Sequence, residues 1–193
     1  RTIDASAVVH ELNIMGNKLA NKIIGSGEND CIDGGKAADT ILGGKGADTL
    51  IGGKGDDSLK GGKGADVFIY NDGDGNDVIV DFKTTESDKI VIASGNVEVP
   101  RTNGSDVIFK IDNGSITVKD ATNQSIKLYD NQGRTLGISY SPFMEDDEEV
   151  LTVKNSLSEL VENKSYDVLA TTINFTTDKS YMPFIAKSNK KNF

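Results

Sequence analysis

A nine-residue period runs through the middle of this chain and limits its fold more than any other feature. Two sets of residues recur at this spacing, one acidic and one large and apolar. They are Asp30, Asp39, Asp48, Asp57 and Asp66, and Ile23, Ile32, Ile41, Leu50, Leu59 and Phe68. A flexible glycine-rich linker would explain the glycine content but not two phased ladders. The period therefore indicates a repeating structure.

The composition is that of a chain with a thin core and many turns. The 193 residues include 21 glycines and no tryptophan, and 36% are hydrophobic, which disfavours a large conventional core. Residues 25–81 hold 12 Asp and Glu against 5 Lys, a net charge of −7 within the −9 of the whole chain. Such a segment repels nucleic acid and attracts cations. Nothing in the sequence resembles a transmembrane span.

Each nine-residue unit divides into six turn-forming and three strand-forming residues, as in "GGKGAD" followed by "TLI". The glycines permit tight reversals, and each triad is too short to form a strand alone. Two triads facing each other across a thin core, joined by two hexads, would close a coil of eighteen residues. Stacked coils lie about 4.7–4.9 Å apart, so each aspartate would lie above the one eighteen residues later.

Stacked carboxylates require a counter-charge. At roughly 5 Å two of them repel by about 0.8 kcal/mol in water and roughly 3 kcal/mol at an effective dielectric constant near 20. Ca²⁺ takes oxygen ligands at about 2.3–2.6 Å and fits between two such layers, with backbone carbonyls completing its shell. Zinc or copper would need His or Cys, which the turns do not supply in any set, and Mg²⁺ prefers a smaller octahedron. The sequence predicts several Ca²⁺ ions.

These units resemble the glycine-rich nonapeptides of the repeats-in-toxin (RTX) family, G-G-x-G-x-D-x-U-x with U a large apolar residue. The match is strong at residues 43–51, 52–60 and 61–69. Ala37 replaces a glycine in the preceding unit, and Asn21 stands where an aspartate belongs, so a site that includes Asn21 is expected to be weaker. After Phe68 the register breaks, and the next segment resembles a closing coil with a two-residue insertion that brings in Asp77.

The resemblance implies an all-β fold, a right-handed parallel β-roll capped by short antiparallel strands, with a partly helical C-terminal tail. Aspartate side chains and turn carbonyls are the expected calcium ligands. The predicted metal site residues are Asp30, Asp39, Asp48, Asp57, Asp66, Asp77, Gly34, Lys36, Gly43, Gly44, Lys45, Gly46, Gly52, Gly53, Lys54, Gly55, Gly61, Gly62, Lys63 and Gly64. The resemblance also implies export by bacterial type I secretion machinery, with folding in calcium-rich surroundings outside the cell.

Other sites fit the sequence less well. "DGDGND" at Asp72 begins like an EF-hand loop, but Asp77 and Lys83 stand where that loop needs Gly and Glu. No Gly-Lys pair is followed by Ser or Thr, as a phosphate-binding loop requires. Cys31 cannot form an internal disulfide and is expected to face outward from a strand, although a Cys31–His10 pair is conceivable. We find no catalytic constellation, and the chain is predicted not to be an enzyme.

Four segments are predicted: a lead-in or cap at 1–20, the β-roll at 21–82, a β-strand capping region at 83–141 and a tail at 142–193. The capping region is expected to be antiparallel because "TNG", "DNG" and "DNQG" are turn signals. In the tail, Val150, Val153, Leu157, Leu160 and Val161 have helical spacing, which fits either part of a type I secretion signal or an ordinary helix.

Two functional interpretations stay open. The chain reads as the calcium-binding and secretion region of a larger exported bacterial protein, whose parent is an adhesin or toxin and whose partners include a host or bacterial surface receptor. Alternatively, the parent is a secreted protease or lipase with its catalytic domain upstream. The expected location is secreted or cell surface. Upstream sequence would discriminate them, since a hydrolase needs its own metal-binding or nucleophile motif.

Overall fold

The structure is a computed structural model that describes residues 1–142, together with the backbone at 151–152 and 185–186. Except for one short 3₁₀ turn at Thr84–Glu86, its regular elements are strands. In chain order they are β1 (Thr2–Asp4), β2 (Asn13–Asn17), β3 (Lys22–Ile24), β4 (Cys31–Lys36), β5 (Thr40–Lys45), β6 (Thr49–Lys54), β7 (Ser58–Lys63), β8 (Val67–Tyr70), β9 (Asn76–Ile79), β10 (Lys89–Ile92), β11 (Arg101–Asn103), β12 (Asp106–Ile111), β13 (Gly114–Val118), β14 (Ile126–Tyr129), β15 (Thr135–Tyr140), β16 (Leu151–Thr152) and β17 (Ile185–Ala186).

Successive strands of the repeat alternate between two sheets, as the eighteen-residue coil requires. One sheet has the order β1-β3-β5-β7-β9-β13-β12-β11, and the other has the order β15-β14-β10-β8-β6-β4-β2. From β1 to β10 every pairing between neighbours is parallel. The all-β parallel roll predicted from the repeats is confirmed. Because β1 pairs with β3 and β2 with β4, residues 2–4 and 13–17 also form part of the two sheets.

The apolar ladder forms the core between the sheets. In one sheet Ile23 pairs with Ile41 and Ile41 with Leu59, and in the other Ile32 pairs with Leu50 and Leu50 with Phe68. All six side chains of this ladder are at most 2% exposed. Their neighbours along each strand point away from the core, in keeping with the two-residue periodicity of a strand. Cys31 is exposed at the start of β4, as expected of an outward-facing strand residue.

The strands of the repeat are longer than the predicted triads. β5, β6 and β7 each continue through the following Gly-Gly-Lys, so the chain reverses over only three residues, such as 46–48. Paired glycines in neighbouring layers lie in register, as at Gly44 and Gly62. Glycine has no Cβ to separate these closely stacked backbones, which allows the ladder to extend into the predicted turn.

The roll continues beyond the repeats before antiparallel strands close it. β10 and β14 join one sheet in parallel and β13 joins the other in parallel. The antiparallel strand pairs here are β11-β12, β12-β13 and β14-β15. The prediction of antiparallel capping strands is therefore confirmed for those pairs, whereas β10, in the same predicted region, is parallel to both of its neighbours. Ile90 pairs with Phe68 and extends the buried ladder.

The chain divides into two units, residues 1–142 and residues 143–193. In the second unit, β16 and β17 form an antiparallel pair. The helix predicted from Val150 to Val161 is wrong at Leu151 and Thr152, which are extended, and its other residues lie outside the described part of the chain, as does the expected secretion signal. Within the described residues no helix is long and apolar enough to cross a membrane.

Candidate metal centre

The aspartates of the repeat form two buried stacks along the edges of the roll. In each stack the carboxylate oxygen Oδ1 accepts a hydrogen bond from the backbone N–H of the corresponding residue in the preceding layer. The donor-to-acceptor distances are 2.6 Å from Asn21 to Asp39, 2.8 Å from Asp30 to Asp48, 2.7 Å from Asp39 to Asp57 and 3.0 Å from Asp48 to Asp66. The eighteen-residue stacking predicted from the sequence is thus present, and each aspartate joins its own layer to the one before.

The second carboxylate oxygen is the unusual atom. Among the described residues, the Oδ2 atoms of Asp39, Asp48, Asp57 and Asp66 are buried and have no hydrogen-bond partner. A buried polar atom without a partner costs roughly 1–3 kcal/mol, and more if it is charged. Four such atoms occur at equivalent positions of successive repeats, in a roll with a thin core. They therefore indicate that a bound ligand, which is not part of the protein chain, interacts with these oxygens.

Glycines make the space into which these oxygens point. An ideal Cβ built on Gly43 would overlap Asp48 Oδ2 and would lie 2.7 Å from the carbonyl oxygen of Gly61 in the next layer. On the other edge, a Cβ on Gly34 would lie 2.5 Å from Asp39 Oδ2 and 2.6 Å from the Gly52 carbonyl oxygen. The unpartnered oxygens of Asp39 and Asp48 therefore each share a glycine-lined space with a carbonyl of the following layer, and those of Asp57 and Asp66 lie in the same way beside Gly52 and Gly61.

Burial makes the charged form of these carboxylates costly without a cation. The pKa of Asp48 rises to about 7, mainly through desolvation, with further repulsion from Asp66 and Asp30. Burial likewise raises the pKa of Asp57 and of Asp66 to about 6, and it raises the pKa of Asp39. A divalent cation beside these oxygens would reverse the effect, because an opposite charge stabilises the carboxylate.

The donor set fits a hard cation. In the part of the chain that the structure describes, no three His, Cys, Asp or Glu side chains converge as a metal cluster. The spaces instead combine single carboxylate oxygens with backbone carbonyls, which are the ligands that Ca²⁺ accepts in large and irregular shells. A structural zinc site would require four nitrogen or sulfur ligands. The residues present therefore fit calcium.

The predicted carbonyl donors lie at these edges. The first glycine of each hexad is buried, namely Gly34, Gly43, Gly52 and Gly61, whereas the lysines at the third position, Lys36, Lys45, Lys54 and Lys63, are exposed. The side chains of those lysines therefore extend into solvent, and only their main-chain carbonyls are candidate donors. Ala37 has a φ of 70° where three other repeats have glycine, so it adopts the left-handed conformation that glycine accepts more readily.

Asp30 differs from the central aspartates. The Ser26 N–H donates to its Oδ2 at 2.6 Å, and Leu12 N–H and the Ser26 hydroxyl donate to its Oδ1 at 2.9 and 3.0 Å. Both oxygens are therefore satisfied by the protein. In this unit, which begins at Gly25, Ser26 stands where the repeat has its second glycine. Asp30 thus lacks the unpartnered oxygen on which the calcium argument rests for the other four.

The stack of aspartates continues beyond the two-residue insertion. Asp57 N–H donates to Asp77 Oδ1 at 3.0 Å, which keeps Asp77 in the stack predicted for it. Burial, together with repulsion from Asp57, raises the pKa of Asp77 to about 7. Asp74 in the same loop is also buried, and its Oδ2 accepts from the Asn71 N–H at 2.8 Å.

Sequence reasoning missed the next member of the other stack. Asp66 N–H donates to Asp88 Oδ1 at 3.0 Å, the same contact that joins Asp48 to Asp66. Asp88 lies twenty-two residues after Asp66, so a strict nine-residue frame passes over it. The local order Asp88-Lys89-Ile90 nevertheless repeats the D-x-U order of the motif and would have identified it.

The comparisons with known proteins agree with this geometry at the level of the repeats. A family model described as the RTX calcium-binding nonapeptide repeat (4 copies) matches residues 15–50 and residues 42–79. This stretch contains the whole run of stacked aspartates from Asp30 to Asp77. No curated protein sequence matches the chain.

Solved structures with some likeness include two bacterial proteins. The extracellular lipase LipA from Serratia marcescens is 15% identical with a TM-score of 0.34, and the match covers 57% of this chain and 36% of the lipase. The AlgE6R3 subunit from the Azotobacter vinelandii mannuronan C5-epimerase is 18% identical with a TM-score of 0.43, covering 89% of this chain and 98% of that subunit. The chain thus spans about a third of the lipase's length.

Proposed function

We propose, from the premise that residues 15–79 are RTX calcium-binding nonapeptide repeats, that the roll binds several Ca²⁺ ions between its layers and folds when it does so. One observation carries the proposal, namely the four buried Oδ2 atoms that have no partner in the described protein. Asp39, Asp48, Asp57 and Asp66 are the principal side-chain ligands.

The chain's own residues prepare these sites. Each Oδ1 atom holds the N–H of the preceding layer, which fixes the carboxylate and directs its Oδ2 toward the following layer. First glycines such as Gly43 leave room there and place a carbonyl beside it. Bound calcium supplies positive charge and accepts oxygen ligands from both layers. Because the site forms only when two layers meet, the free energy of binding becomes free energy of folding.

The charge distribution supports a switch between two states. The high density of carboxylates and the thin core favour an expanded chain when calcium is scarce. Calcium-rich surroundings outside a cell would favour the roll. We therefore assign the chain to the calcium-binding and C-terminal secretion region of a larger bacterial protein, exported by type I machinery and folding afterwards. In this role the chain itself is not catalytic.

The nature of the parent protein is a second question. An adhesin or toxin that contacts a surface receptor fits the strand-and-repeat character of residues 1–20, which pair in parallel with the repeats. A secreted protease or lipase with an upstream catalytic domain is the alternative. Sequencing upstream of Arg1 in the parent separates them: tandem β-sandwich repeats would support the adhesin, and a catalytic motif would support the hydrolase.

The calcium function is tested by titrating residues 1–193 and following the far-UV circular dichroism spectrum. We expect a cooperative gain of β-structure with calcium, near the 10⁻⁴–10⁻³ M range of extracellular modules, and none with magnesium at the same concentrations. The double variant Asp48→Ala, Asp57→Ala removes one ligand from each edge and is expected to lose the transition.

A matched control is the variant Glu11→Gln, Glu98→Gln, which removes two negative charges at exposed positions. It is expected to keep the calcium transition of the unmodified chain. If calcium and chelator leave the unmodified chain's spectrum unchanged, or if magnesium acts equally well, the calcium-dependent folding proposed here is wrong.

A further inference from the structure

An eight-residue turn from Asp81 to Asp88 closes the edge of the roll that carries Asp48 and Asp66. Leu59 pairs with Ile79, so Asp81 follows in the register position opposite Gly61. At the other end of the turn, Asp88 Oδ1 accepts the N–H of Asp66 at 3.0 Å. The turn therefore takes the place of another hexad with two inserted residues, although it lies beyond the residues that match the family repeats.

The turn from Asp81 to Asp88 contacts the preceding layer through more side-chain carboxylates than the turns of the repeat do. The two oxygens of Asp81 accept the N–H groups of Gly61 and Gly62 at 3.0 and 3.1 Å. Glu86 Oε2 accepts the N–H of Gly64 at 3.0 Å. Asp81, Glu86 and Asp88 thus place three carboxylates of one turn against backbone N–H groups of the 61–66 turn.

A fourth carboxylate faces them with an unpartnered atom. Asp66 is 1% exposed, and its Oδ2 has no hydrogen-bond partner among the described residues. In the preceding layer the equivalent oxygen of Asp48 shares its space with a carbonyl of the following layer. Asp66 Oδ2 holds the same position beside its own first glycine, Gly61. It therefore points toward the turn that begins at Asp81.

The charges around this oxygen are mainly negative. After burial, the causes that raise the pKa of Asp66 are repulsion from Asp88, Asp81 and Glu86. Lys83 pairs with Glu86 at 2.6 Å, but both side chains lie at the exposed rim, where ion pairs contribute little. Three carboxylates of the turn thus act on Asp66, whereas two, those of Asp66 and Asp30, act on Asp48 between the repeats.

We propose that a further Ca²⁺ ion binds between the 61–66 turn and the 81–88 turn, with the unpartnered Oδ2 of Asp66 as its side-chain ligand. Asp81, Glu86 and Asp88 add negative charge around the ion, and backbone carbonyls complete the shell. This site rests on the calcium-binding function proposed above and extends it beyond the matched repeats. Because affinity increases with ligand charge, it should fill at lower calcium than the sites between repeats.

The double variant Asp81→Asn, Glu86→Gln tests the site in the full chain, with Glu11→Gln, Glu98→Gln as the charge-matched control. Bound calcium is counted by equilibrium dialysis at saturating calcium. We expect the variant to bind one ion fewer than the unmodified chain and than the control. Amide hydrogen exchange should show that calcium slows exchange at Gly61, Gly62 and Gly64 in the control but not in the variant.

An unchanged ion count in the folded double variant would overturn the site and leave the three carboxylates as caps for N–H groups. If the double variant does not fold, Glu86→Gln alone decides, because it keeps Asp81 and should weaken the tightest binding step several-fold. An unchanged binding curve for that variant would equally overturn the site. Failure of the unmodified chain to bind any calcium would instead contradict the general calcium function.

Discussion

At the scale of single residues, the buried aspartates combine two tasks in one side chain. Oδ1 of Asp48 satisfies a backbone N–H of the preceding layer, while its Oδ2 stays without a partner in the protein. A neutral residue can also accept a backbone N–H, since Asn21 Oδ1 accepts that of Asn17, four residues earlier, at 3.1 Å. Only a carboxylate also offers a charged oxygen to a cation.

The raised pKa values predict how the metal-free chain responds to pH. The pKa of Asp48 and of Asp77 is about 7 and that of Asp57 and of Asp66 about 6, against about 3.9 in an unfolded chain. Between about pH 4 and pH 7 the folded state thus binds more protons than the unfolded state, so its stability falls as pH rises. With EDTA present, far-UV circular dichroism should show more β-structure near pH 5 than near pH 8.

Calcium should show the opposite trend, because it competes with protons for the same oxygens. Its apparent affinity is expected to rise between about pH 5.5 and pH 7.5. Asp48→Asn should flatten the pH dependence measured in EDTA, whereas Glu98→Gln should not. A metal-free chain that gains β-structure as the pH rises would contradict the proposed role of these carboxylates.

The sequence predicted the residues of the repeat well and its ends less well. The stacking of Asp39 to Asp66 follows from a constant spacing, which is a property of the chain alone. The hydrogen bond that the Ser26 N–H donates to Asp30 Oδ2 depends on the conformation of one irregular turn. The positions of Asp81 and Asp88 depend on how a longer turn packs against the layer before it, which a fixed period cannot express.

At the scale of the strands and turns, glycine sets the distance between layers. Gly53 has a φ of 92°, and a Cβ there would overlap the carbonyl oxygen of Gly35 in the preceding layer. Gly53→Ala is therefore expected to lower the free energy of unfolding of the calcium-bound chain by at least about 1–2 kcal/mol, the usual cost of the left-handed conformation, with the overlap adding to it.

Gly27→Ala is the matched control, since a Cβ at Gly27 would meet nothing within 4 Å. Its effect should stay within about 0.5 kcal/mol, as for most exposed substitutions. Urea unfolding at saturating calcium measures both variants. Equal stability of the two alanine variants would show that the layers can move apart to accept a side chain at Gly53.

The strand pairings beyond the repeat were the least predictable feature of the fold. Turn signals such as "DNG" correctly indicate the hairpin between β12 and β13. They say nothing of the partners of β10 and β14, which pair in parallel with strands 22 and 38 residues away along the chain, as Ile90 with Phe68 and Ile90 with Leu128 show. These long-range pairings bury the apolar ladder, in which Ile90 is fully covered.

At the scale of the whole molecule, a thin apolar core must hold together a roll that also contains buried carboxylates. We therefore expect folding to depend on calcium. The chain carries a net charge of −9, and its central carboxylates are buried without a cation of their own. We expect dynamic light scattering of residues 1–193 to give a larger hydrodynamic radius in EDTA than in millimolar calcium. Sodium chloride of equal ionic strength is the control, because it screens charge but does not occupy the sites.

Contraction by sodium chloride to the same radius as calcium would indicate general screening rather than specific ions. Contraction by calcium alone would agree with ion binding between layers.

Because each aspartate contacts the layers on both sides of it, the roll also has mechanical consequences. A force applied to its C-terminal end would act on one coil at a time, since Asp66 holds the N–H of Asp48 while its own N–H is held by Asp88. Release of one eighteen-residue coil would lengthen the chain by roughly 60 Å at most. The coils of the repeat would then be released one after another in steps of similar length, after the longer coils that end at Asp77 and Asp88.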